Sequence, residues 1–92
     1  MTSEIDKQLR STKKANELFD RMRIRELKDI IGNLSVCLER AEKGEHFSVD
    51  LYASQLVKIA ETEKRYEMTQ VTINVLKGIK AETESVMEEM DE

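Results

Sequence analysis

The 92-residue chain has no proline and no tryptophan, only three glycines, one cysteine and one histidine, and aromatics make up 4 % of it. Each scarcity excludes something. Without proline, and with only Gly32, Gly44 and Gly78 to interrupt it, little stops a helix from propagating. A chain this short buries only about 60–65 % of its unfolded surface, and so few aromatics make a thin core. Such a composition suits long amphipathic helices, or a protein completed by a partner. Cys37 alone cannot build a disulfide framework, so a reducing cytoplasm is the expected setting. No apolar run approaches the roughly 20 residues needed to cross a bilayer, and no signal-peptide pattern opens the chain.

Enzyme signals are equally sparse. His46 has Glu42 and Glu45 nearby, but a metal site needs three or four ligands and no Glu-x-x-His pair occurs. Cys37 falls on an apolar stripe, where a buried, inert thiol is the ordinary outcome. No glycine-rich phosphate loop is present. The expectation is a protein that is not an enzyme, with no catalytic residue, no metal site, no cofactor and no small-molecule substrate.

What the chain does have is charge and apolar periodicity. Ile5, Leu9, Phe19, Leu27, Ile30, Leu34, Cys37, Leu38 and Ala41 fall within roughly 100° of one another on an ideal helix, one stripe along about forty residues. Lys43-Gly44 then reads as a helix C-terminus, Ser48 as the next N-cap with Asp50 in its first turn, and Phe47 as a staple beside that cap. These signals predict a first helix over about 3–43, a turn at 44–47 and a second helix over about 48–90. Two arms of nearly equal length make an all-α, long antiparallel helical hairpin in a single domain the natural fold.

The second arm is less regular. Tyr52, Leu56, Ile59, Ala60 and Tyr66 form one stripe, and Met68, Val71, Val75, Ile79, Val86 and Met90 form another, rotated by well over 90° on an ideal helix. Ile73 and Leu76 widen the later surface. One hairpin partner cannot cover all of it. Either the helix bends near 61–67, at "ETEKR", to make a third helix, or the surplus face of Met68, Val71, Ile73, Val75, Leu76 and Ile79 receives a protein partner or another copy of the chain, and self-association is expected.

Fifteen basic against nineteen acidic residues give a net charge of −4, which argues against a dedicated nucleic-acid binder. The first 44 residues nevertheless carry ten basic and eight acidic side chains. Lys7, Arg10, Lys14, Arg21, Arg25 and Lys28 project within an arc of about 60° on an ideal helix, roughly opposite the apolar stripe, with Glu17 the main acid near them. Such a row fits an anionic surface, lipid headgroups above all. It also fits the solvated outer face of a coiled coil.

The stretch "ERAEKGEHFSVDLYASQLVKI", Glu39 to Ile59, resembles the junction between the first two helices of ESCRT-III proteins, especially their archaeal cell-division branch. In that family a short turn after a basic first helix leads into a second helix opening on a pattern like Tyr-Ala-x-Glu-Leu. Here the matching positions are Tyr52, Ala53, Gln55 and Leu56, with Val57-Lys58-Ile59 following and "VTINVLKGI" where the family's second helix continues. The resemblance covers about residues 21–81. Family members are usually about twice as long and carry further helices, and the strongly acidic second arm departs from their pattern. The resemblance implies the core hairpin of a membrane-remodelling polymer, bound peripherally to acidic lipid through its first helix. The alternative is a small cytoplasmic helical adaptor, chaperone or regulator that binds a partner protein through the apolar face of its second helix.

Overall fold

The computed structural model describes residues 2–91 and consists of two helices, α1 (Thr2–Glu42) and α2 (Asp50–Asp91), folded against each other as one extended hairpin. Its Cα atoms span 77 × 16 × 14 Å, the proportions of a rod. The reversal falls where the sole Lys-Gly step in this region places it. Gly44 takes φ of 77°, the left-handed conformation that favours glycine. The Glu45 amide donates to the Arg40 carbonyl at 2.8 Å and the Gly44 amide to Ala41 at 3.0 Å. These are the two bonds of a Schellman closure, and they satisfy carbonyls the helix end would otherwise orphan. Gly44→Ala is expected to destabilise the fold by about 1–2 kcal/mol, the cost of a left-handed non-glycine residue, read as a lower midpoint in urea. An unchanged midpoint would show that the turn does not depend on that conformation.

The start of α2 differs from expectation. The Val49 carbonyl accepts from the amides of Tyr52 and Ala53, both at 3.1 Å, so Val49 rather than Ser48 stands at the capping position. Phe47 stays exposed rather than stapling the helix start. α2 then runs unbroken through Glu61–Arg65, and among the described residues there is no third helix.

The seam between the helices also corrects the sequence reading. Of Leu27, Ile30, Leu34 and Leu38, only Ile30 is buried, at 5 % exposure, whereas Leu34 keeps 49 %. Leu56 is likewise exposed, and Ile59 half-buried. The reason is geometric. A long helix pair stays in contact only along positions that recur every 3.5 residues on average, so a stripe 100° wide holds more than one line and α2 covers one edge of it. The covered lines on α1 are Leu9, Asn16, Arg23, Ile30 and Cys37, with Ile5, Thr12, Phe19, Glu26 and Asn33 beside them; all ten are buried or half-buried. On α2 they are Tyr52, Ile59, Tyr66, Ile73 and Lys80, with Gln55, Thr62, Thr69, Leu76 and Thr83.

Much of this seam is polar, and several of its polar members pair across it, although Glu26 Oε2 is buried without a partner. Asn33 Nδ2 donates to Gln55 Oε1 at 3.0 Å, and the Thr62 hydroxyl to Glu26 Oε1 at 3.1 Å. Asn16 Nδ2 donates to Thr69 Oγ1 at 2.9 Å, and its Oδ1 accepts from Gln70 Nε2 at 3.1 Å. Arg23 reaches Asp20 at 2.8 Å and Glu63 at 3.1 Å, with its guanidinium 3.7 Å from the centre of the Tyr66 ring. Buried pairs of this kind add little net stability but penalise any slipped register, which would strand them unpaired. The hairpin is therefore well specified and thinly glued.

Candidate functional site

Placing polar residues between the helices puts large apolar side chains outside. It also sorts the charges. Among the described residues the ion pairs are Arg23 with Asp20 and Glu63, and Lys80 with Asp6 at 2.7 Å. Three acids are thus occupied by Arg23 and Lys80, and neither cation belongs to the row read from sequence.

That row, Lys7, Arg10, Lys14, Arg21, Arg25 and Lys28, is exposed at every position. Lys7, Lys14, Arg21 and Lys28 repeat at seven-residue intervals, so the coiling that keeps the seam aligned keeps them aligned too, on the side of α1 away from α2. Twenty-one residues separate the first from the last, about 31 Å at 1.5 Å each. Arg10 and Arg25 flank this line. A shallow groove lined by Arg21, Ile24, Arg25, Lys28 and Asp29 lies along one edge and sets cations beside an apolar side chain. Anionic headgroups with acyl chains beneath present the complementary chemistry.

The second surface read from sequence is divided by the structure. Met68, Val71, Val75 and Ile79 are exposed on α2, and Met68 and Val71 line a shallow groove with Lys64, Glu67 and Thr72. Ile73 is buried in the hairpin seam and Leu76 is half-buried on the same line, so these two belong to the α1 contact rather than to the free face. The sequence reading missed Ile24 and Ile31, which join Leu27, Leu34 and Leu38 in an exposed run on α1. Its signal is the alternation of three- and four-residue steps from Ile24 to Leu38, a coiled-coil pattern in its own right.

Among the described residues no three His, Cys, Asp or Glu side chains cluster as metal ligands, and no helix is long and apolar enough to cross a membrane. Cys37 is buried in the seam, beside Tyr52. Interaction with the Cys37 thiol, with burial second, raises the Tyr52 pKa above the usual tyrosine value; the ion pair with Asp6 likewise raises that of Lys80. In both cases the folded chain holds the proton more tightly than the unfolded chain. The associated stability is present below the unfolded pKa and lost as pH rises through the folded one. For tyrosine and lysine that window opens at about pH 10. Stability in urea is expected to be flat through neutrality and to fall above that point. Loss confined to pH 5–8 would contradict these pairings.

Comparison of the chain with protein-family models, with curated proteins and with solved structures returned no match.

Proposed function

We propose that this chain is a non-catalytic helical hairpin that acts by association, docking peripherally on anionic membrane along the outer face of α1, as in the membrane-remodelling polymers its turn region resembles. The observation that carries the reading is the exposed row from Lys7 to Lys28, aligned over about 31 Å and outside every ion pair among the described residues. A rod presents such a row to a flat surface along its length, and its neighbouring apolar faces are free to bring further chains alongside. The test is sedimentation with phosphatidylserine-rich vesicles. Binding is expected at low salt, weaker at physiological salt and absent with neutral lipid, because attraction to a charged leaflet fades over a Debye length of about 8–10 Å in 0.1–0.15 M salt.

A second reading has its own observation. The exposed Met68, Val71, Val75 and Ile79 give α2 an adaptable apolar face of the kind that receives a partner helix. A small adaptor, chaperone or regulator would use it without lipid. A chain that stays in the supernatant with anionic vesicles at low salt favours this reading over the membrane one.

A further inference from the structure

The exposed run on α1 has an internal order that the α2 face lacks. Ile24, Ile31 and Leu38 occupy one line and Leu27 and Leu34 the next, with Ala41 continuing it, all exposed. Written as a heptad, the first line takes the a positions and the second the d positions of a coiled-coil seam. This seam is separate from the one that faces α2 and lies about a quarter-turn around α1 from it. In an antiparallel hairpin, the positions next to the seam on this side of α1 share a surface with the equivalent positions of α2, here Val49 and Leu56. Both are exposed. Asn33 pairs with Gln55, so Leu56 lies level with the middle of the α1 run. One flank of the hairpin, near the turn, thus carries apolar residues from both helices.

We propose that this flank binds a second copy of the chain, with the two α1 helices antiparallel over Ile24–Ala41 and each α2 stacked on its own α1, giving a four-helix bundle about a twofold axis. Charge complementarity selects the second copy and its direction. The α1 position that flanks the run on the solvent side is Arg21, Lys28, Ser35 and Glu42 in successive heptads. Antiparallel pairing sets this line against itself reversed, so that Lys28 and Arg21 meet Glu42 of the other copy. Parallel pairing sets Glu42 against the buried Cys37 of the other copy, with no cation to meet it. The twofold axis passes close to Leu56, which packs against its own counterpart, and Ala53 and Ala60 on the neighbouring exposed line of α2 let the two α2 helices approach. The dimer needs no lipid and stands whether or not the basic row binds a membrane.

Sedimentation equilibrium without lipid tests it. At about 100 µM, ten times a Kd of about 10 µM, most of the unmodified chain is expected at twice its 10.7 kDa mass. Ile31→Lys combined with Leu34→Lys is expected to leave a monomer of unchanged helicity, since neither residue lies in the hairpin seam. Lys28→Glu should weaken the dimer about tenfold, and Lys28→Glu with Glu42→Lys should restore it. A monomeric unmodified chain overturns the proposal, as does an assembly that survives the Ile31/Leu34 change. A dimer tightened by Lys28→Glu overturns the antiparallel direction.

Discussion

Reversing Lys14, Arg21, Arg25 and Lys28 to glutamate is expected to abolish binding to phosphatidylserine-rich vesicles while leaving the helical circular dichroism unchanged. Each cation close to an anionic leaflet contributes about 1 kcal/mol, so losing four and adding four repelling charges removes the whole attraction of a six-cation row. Helicity is preserved because the four side chains are exposed on α1 and take no part in the ion pairs or hydrogen bonds across the seam. A reversed chain that pellets as well as the unmodified one would move the binding site elsewhere, with the apolar face of Val71, Val75 and Ile79 next in line. The control is Arg23, which lies half-buried between Asp20, Glu63 and Tyr66. Arg23→Gln should weaken the fold and barely alter vesicle binding.

Ile30→Ala should destabilise the hairpin by about 2–4 kcal/mol, whereas Leu34→Ala should cost less than about 1 kcal/mol. The two residues lie four apart on one helix, but α2 covers Ile30 and leaves Leu34 half open. Among the described residues, Ile30 is one of four buried apolar side chains, with Leu9, Cys37 and Ile73, and truncating it removes a quarter of that set. Urea melts at about 1 µM chain, too dilute for the pairing of copies proposed above, read the single hairpin. Equal losses at the two positions would place both in one interface and remove the distinction between the polar seam and the apolar flank.

That distinction was only half legible in the sequence. The reversal was, because only Lys43-Gly44 combines a helix C-cap signal with a helix-start signal close behind it, and so were the lengths of the two arms. The outward cations were as well, because a long charged side chain goes to solvent without needing a partner. The seam was hidden for the opposite reason. Asn16, Glu26, Asn33, Gln55 and Thr62 look like surface residues one helix at a time, and become part of the seam only when a partner on the other helix comes within 2.9–3.1 Å. The stretch Glu61–Arg65 reads as a bend because the apolar stripe of the second arm changes phase there. It holds Thr62, which is buried against Glu26, and Glu63, which meets Arg23, so it belongs to a continuous helix. A wide apolar stripe on one helix sends its leucines to the core, whereas the coil selects single lines within that stripe.

Cosedimentation of the unmodified chain with phosphatidylserine-rich and phosphatidylcholine vesicles, at low and physiological salt, tests the central claim most directly. The chain should pellet with the anionic vesicles at low salt, lose much of that binding at physiological salt and remain in solution with the neutral ones. A chain that stays in the supernatant with anionic vesicles at low salt, or that pellets equally with both lipids, contradicts a membrane role for the basic face of α1.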